Sequence, residues 1–284
     1  MSERASRETW RLKRRVDHIA RMLRDLSPAS QSKRLVVLGR SSALQGLVRQ
    51  IVIWLGFVVG FALVSSLAGN RAHVALANGL RVVEAEKWLL HGLPELVVQR
   101  TVASSAVLTF LTVLTYRASE FVVVSAALVW VYLRRRWAFT QFRNTIFAAS
   151  LVALVCYFVL PTAPPRMFPG LGFVDTVAHA GGPSRDPGVL SLAANEYAAM
   201  PSLHAADALI VGVAIALLAR RRLVKVVALL WPAWVWLCVM ATGNHFALDV
   251  VAGSAVAALS GAAVHAHARA FPSSSADSPA SALR

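Results

Sequence analysis

Four ionisable side chains sit where long apolar stretches give way to loops, and their types suit phosphoryl chemistry. Arg166 closes Pro-Thr-Ala-Pro-Pro-Arg (161–166), His204 closes Pro-Ser-Leu-His (201–204), and His245 and Asp249 lie within Asn-His-Phe-Ala-Leu-Asp (244–249). Polar groups at the ends of membrane helices are costly to desolvate, so by default they mark a functional site. A guanidinium binds phosphate oxygens as a bidentate fork, and Arg166 follows two prolines that restrict where it points. His245 and Asp249 are four apart and share one face at helical spacing. A carboxylate there fixes the imidazole tautomer and raises its nucleophilicity. Pro201 and Ser202 suit a helix N-terminus, whose free amides form an anion cradle, which makes Ser202 a candidate phosphate contact.

Each group also has a plainer reading. The His–Asp pair is readable as a satisfied polar contact between helices, and His204 as a residue at headgroup level. Arg166 is readable as an arginine snorkelling to lipid. What favours a site is that all of them meet at one end of the apolar segments. Two other chemistries lack their expected contexts. A zinc site built on His204, His245 and Asp249 has no H-E-x-x-H or Cys pattern. A hydrolase using Ser202 has no G-x-S-x-G elbow. The sequence calls for no metal and no cofactor.

The elements that must position these groups are membrane spans. Of 284 residues, 57% are hydrophobic and 15% charged, with a mean hydropathy of +0.58. That is too apolar for a soluble globule and predicts an all-α polytopic membrane protein. The net charge of +15 does not imply nucleic acid, because the basic residues flank apolar runs and form no stripe with interleaved aromatics. Cys156 and Cys238 both lie inside apolar runs and read as packing residues. No cleavable signal peptide is expected, since the first apolar run begins only near Arg49.

Six spans are predicted, at roughly 50–68, 118–134, 141–160, 202–219, 224–241 and 246–268, each long enough to cross ~30 Å of hydrocarbon. Residues 1–49 carry twelve Lys or Arg; within them Trp10, Leu12, Val16, Ile19, Leu23 and Leu26 recur at helical spacing. This basic arm reads as an amphipathic helix on an anionic leaflet, or equally as a solvated arm. With Arg134–Arg136, Arg143, Arg220–Arg222 and Lys225 between spans, the positive-inside rule places both termini in the cytoplasm. All three motifs then fall on the outer face of a cell membrane. Residues 69–117 are expected to form outer or interfacial helices, with 80–93 amphipathic and 101–115 re-entrant or lying on the surface. The Pro- and Gly-rich loop 161–201 reads as a rim over the site, and the tail from 269 as disordered.

In combination, Pro-Thr-Ala-Pro-Pro-Arg (161–166), Tyr-Ala-Ala-Met-Pro-Ser-Leu-His (197–204) and Ala-Thr-Gly-Asn-His-Phe-Ala-Leu-Asp-Val-Val-Ala-Gly (241–253) resemble the signature of the type 2 phosphatidic acid phosphatase (PAP2) superfamily. The similarity covers roughly 50–268 and is nearest to the branch with inositol phosphorylceramide synthases and actinobacterial membrane proteins. It implies a six-helix catalytic domain in which His245 is a nucleophile forming a phosphohistidine, Asp249 orients it, His204 is the general acid and Arg166 binds phosphate. It further implies a membrane lipid-phosphate phosphatase or phosphotransferase, with transfer of inositol phosphate to a lipid alcohol as the alternative. A non-catalytic anionic-lipid binder or transporter is the reading from a different class. Three positions depart from the family pattern. Val159 stands where a Lys is usual, and Cys238 and Val239 stand where Ser-Arg is usual. With fewer fixed cations, Arg185 becomes a candidate phosphate ligand from the loop. Asp207, one turn after His204, is a candidate to tune that imidazole or a plain interhelical contact.

Overall fold

A computed structural model describes residues 28–68, 71–179 and 195–271, with side chains from residue 44 onward. Arg185 and the amphipathic stretch 10–26 lie outside the described residues. The chain divides into two compact units, Met1–Phe57 and Val58–Arg284. In the first, the described residues belong to helix α1 (Pro28–Leu67), whose apolar window is Leu44–Leu67; Trp54 and Phe57 stack along it with ring centroids 6.2 Å apart. The expected boundary between arm and membrane domain at residue 49 therefore falls within a continuous helix.

The second unit is all-helical, built from α2 (Ala72–Leu90), α3 (Pro94–Ala103), α4 (Ala106–Arg134), α5 (Arg136–Val159), α6 (Leu203–Leu218), α7 (Arg222–Ala241) and α8 (Ala247–Ala270). Local sequence sets the boundaries. Pro94 opens α3 where its missing N–H costs nothing. Ser105 caps α4, its hydroxyl accepting from the Leu108 amide at 3.4 Å. Ser202 caps α6 in the same way through Ala205 N at 3.3 Å.

Five helices, α1, α4, α5, α7 and α8, are long and apolar enough to cross a membrane, and α6 is a shorter apolar helix. Apolar helices thus lie at all six predicted positions, five of them long enough to cross and α6 shorter, with one difference. The stretch 101–115, expected to be re-entrant or on the surface, instead ends α3 and then supplies the first turns of the long α4, because no Gly or Pro interrupts the chain from the Ser105 cap to Arg134. The one irregularity in α4 is a π-turn at Ser119–Val123.

Helix α6 is the hub and packs against α4, α5, α7 and α8. Its 16 residues span about 24 Å at 1.5 Å per residue. Gly212 makes the α6–α7 approach possible, since a Cβ there would meet the Ala228 carbonyl at 2.5 Å. At one end of the bundle Arg135 Nε donates to the Leu218 carbonyl at 3.0 Å. This draws together the two basic turns, Arg134–Arg136 and Arg220–Arg222. The three motifs occupy the opposite end. There Thr162 N donates to Tyr197 O at 2.8 Å and Ala199 N to Thr162 O at 3.2 Å, a short parallel bridge that ties the first motif to the second. An apolar cluster of Val82, Val83, Phe168, Phe173 and Phe246 fills the same end.

Candidate active site

Arg166 is placed by its backbone before its side chain acts. Pro165 opens a 3₁₀ turn (Pro165–Met167), and Arg166 N donates to Gly243 O at 2.8 Å, joining the first motif to the third. Gly243 has φ +72°, and a Cβ there would lie 2.7 Å from the Val174 carbonyl, so glycine is required. The guanidinium donates to Asn244 Oδ1 and lies 3.7 Å, at Nε, from Asp175 Oδ2. Asp175 is itself positioned by Gln99, whose buried amide donates to Val174 O at 2.9 Å, Thr176 Oγ1 at 3.2 Å and Ala241 O at 3.2 Å. Two acceptors thus hold the Arg166 fork from either side.

His245 turns inward at the start of α8. Its Nδ1 lies 2.9 Å from the Ala199 carbonyl and 3.6 Å from Asp249 Oδ2. A carbonyl can only accept, so Nδ1 carries the proton and donates, which leaves the lone pair on Nε2. Asp249 does more than face the imidazole. Its Oδ2 accepts from Phe246 N at 2.8 Å, and its backbone carbonyl accepts from Ser202 N at 3.0 Å. The Ala199 carbonyl thus takes the hydrogen bond from Nδ1, and the Asp249 carboxyl stands 3.6 Å behind it. Burial pushes the His245 imidazole down to about 4; the Ala199 carbonyl opposes the shift and the Arg166 guanidinium adds to it. The ring is neutral at pH 7 and its Nε2 is available as a nucleophile.

His204, the second residue of α6, stands beside it with ring centroids 5.8 Å apart. The Tyr116 ring stacks on His204 at 4.5 Å and 11°, and Glu120 Oε2 lies 3.4 Å from His204 Nε2. Both neighbours come from α4, and Glu120 falls in its π-turn, a feature frequent at functional sites. The sequence reading missed Tyr116, Glu120, Asp175 and Gln99. Glu120 had a signal, being an acidic residue inside an apolar run. Asp207 does not take the tuning role: it is buried on α6 with Oδ1 unpartnered, and the carboxylate at His204 is Glu120.

Ser202 is fully buried, its hydroxyl used as the α6 cap. Of the departures from the family pattern, Val159 is 75% exposed at the last residue of α5, whereas Cys238 and Val239 are buried. The Val239 carbonyl accepts from the amides of Asn244 and His245 at 3.2 and 3.3 Å. Among the described residues, no three His, Cys, Asp or Glu side chains converge as a metal site.

The second and third motifs touch through Gly253, where a Cβ would fall 2.2 Å from the Ser202 carbonyl. Gly253→Ala must push α8 away from the Pro-Ser-Leu-His turn, at a cost of about 1–3 kcal/mol. We expect a lower thermal unfolding midpoint in detergent and at least a tenfold loss of turnover; unchanged values would show that the helices need not approach so closely.

The family model described as the PAP2 superfamily matches residues 80–263, and the chain belongs to that superfamily. No curated protein matches the chain, and no solved structure does. The membership supports phosphatase- or phosphotransferase-type chemistry, and the apolar helices fit an integral membrane protein.

Proposed function

We propose that this chain is a lipid-phosphate phosphatase or phosphotransferase that works through a phosphohistidine on His245. The observation that carries the reading is the placement of His245 Nδ1 2.9 Å from the Ala199 carbonyl, which fixes the tautomer. Nδ1 is committed to the Ala199 carbonyl with Asp249 behind it, which frees Nε2 beside His204 and within the end of the bundle that holds Arg166. In the first half-reaction the Nε2 lone pair forms a bond to phosphorus as the bond to the leaving oxygen breaks. His204 gives that oxygen its proton. In the second, water or an alcohol attacks phosphorus, the N–P bond breaks, and His204 recovers a proton from the attacking oxygen. Arg166 and the N-terminus of α6 face the charge that develops on the phosphoryl oxygens.

The acceptor and the substrate charge are open to a second reading, favoured by one observation. The Arg166 guanidinium is already paired with Asp175, and Glu120 stands at His204. So few uncompensated cations suit a monoanionic phosphodiester better than a dianionic monoester. That supports transfer of a phospho-headgroup, such as inositol phosphate, from a lipid donor to a lipid alcohol. We place the site on the outer face of the cell membrane, because the basic turns at the opposite end belong in the cytoplasm by the positive-inside rule.

The deciding experiment is product formation by purified protein in detergent with EDTA, across lipid phosphomonoesters and phosphodiesters, with and without a lipid alcohol acceptor. Phosphate release identifies a phosphatase, and acceptor-dependent product identifies a transferase. Neither product would return the chain to lipid binding or transport. In the same assay Arg166→Lys, which keeps the charge but loses the fork, should lower kcat/KM about 10- to 100-fold. An unchanged value would remove Arg166 from phosphate recognition.

A further inference from the structure

Two acidic residues outside this site are as deeply buried as any in the molecule. Glu86 on α2 and Glu95 on α3 are both 0% exposed. Glu86 Oε1 accepts from the backbone amide of Leu248 at 2.7 Å. That amide belongs to the first turn of α8, between His245 and Asp249, and Asp249 itself takes the neighbouring Phe246 amide. Among the described residues, Glu86 Oε2 and both oxygens of Glu95 are buried with no hydrogen-bond partner, and the two carboxyls are close enough to interact with each other. Two buried carboxyls this close resist being ionised together without a counter-cation, and among the described residues the further ionisable group that acts on the pair is another acid, Asp249.

We propose that Glu86 and Glu95 share one proton and form a positioning pair, in which Glu95 donates to Glu86 and Glu86 clamps the first turn of α8 that carries His245 and Asp249. The pair touches no substrate. It rests on the reading of His245 as nucleophile, because its purpose is to fix the start of that helix from two elements, α2 and α3, that otherwise lie beside the site. An ionised Glu86 accepts from Leu248 N more strongly than a neutral one, and the Glu95 proton keeps that single negative charge tolerable in a dry environment. Burial, followed by the charge of Glu86, raises the Glu95 carboxyl from 4.5 to about 8. Between those two values the folded chain holds a proton that the unfolded chain releases. Stability therefore declines as pH rises through that window and levels off above it.

The test compares wild type with Glu95→Gln, an isosteric donor that cannot ionise, and with Glu95→Ala, in detergent. Relative to Glu95→Gln, the wild-type unfolding midpoint should fall from pH 5 to pH 8 and then run parallel. Deuterium uptake at amides 246–250 should be at least tenfold faster in Glu95→Ala than in wild type, and near wild type in Glu95→Gln. Turnover of phosphatidic acid in micelles should follow the same pattern, about tenfold lower in Glu95→Ala and restored to within about threefold in Glu95→Gln. A wild-type midpoint that tracks Glu95→Gln across the whole range overturns the shared proton. Unchanged uptake in Glu95→Ala overturns the clamp. If Glu95→Ala cannot be recovered folded, the midpoint comparison with Glu95→Gln still decides. The expected midpoint and uptake patterns without turnover in any form would fault the phosphatase reading and leave the positioning pair standing.

Discussion

His245→Ala should abolish turnover, with a loss of at least about 10⁴-fold in kcat, or roughly 5.5 kcal/mol of barrier. Removing a nucleophile does not merely weaken a transition-state contact; it removes the covalent route, and the water that fills the gap meets His204 still protonated as the general acid and so lacks an activating base. The fold should survive. The ring makes one hydrogen bond, to Ala199 O, and losing it costs about 1–3 kcal/mol. The check is kcat measured alongside the thermal midpoint and the gel-filtration profile. An active His245→Ala protein would show that phosphorus is attacked by water directly, and the two-step route would fall.

The second large effect is at His204, where His204→Gln should lower kcat about 10²- to 10⁴-fold, the usual range for a general acid. The loss should depend on the leaving group. A lipid alkoxide needs the proton badly, whereas an aryl phosphate such as p-nitrophenyl phosphate departs without one, so the defect should shrink to about tenfold there. A purely structural role for the ring, stacked on Tyr116 at 4.5 Å, would depress both substrates equally. Equal loss on both therefore removes the general-acid assignment.

How far the sequence could be read depended on whether a signal is carried by spacing along one helix or by contact between distant ones. The spacing of four between His245 and Asp249 placed both at the start of α8, and the three junction motifs do meet at one end of the bundle. The partner that fixes the His245 tautomer was hidden, because it is the backbone carbonyl of Ala199 and any residue type would supply it. Asp175 and Gln99 were hidden for a related reason: they act on Arg166 across a fold that spacing does not encode. Glu86 and Glu95 were not singled out, since acidic residues outside the apolar spans are normally solvated, and here both are buried. The stretch 101–115 was expected to be re-entrant or on the surface; from Ala106 it is instead the first part of a longer helix, with the Thr112 hydroxyl returning to the Leu108 and Thr109 carbonyls at 3.0 and 2.9 Å. Ser202 was read as a phosphate contact from its place before a helix, and the same place makes it the buried cap.

The central claim is the covalent intermediate, and trapping it is the most direct test. The protein would be mixed with lipid substrate labelled at phosphorus, quenched at alkaline pH within the first turnover, digested and examined by mass spectrometry. The account predicts label on the peptide containing His245, stable to alkali, lost in mild acid and absent from His245→Ala. Label on another residue, or its persistence in His245→Ala, would contradict it.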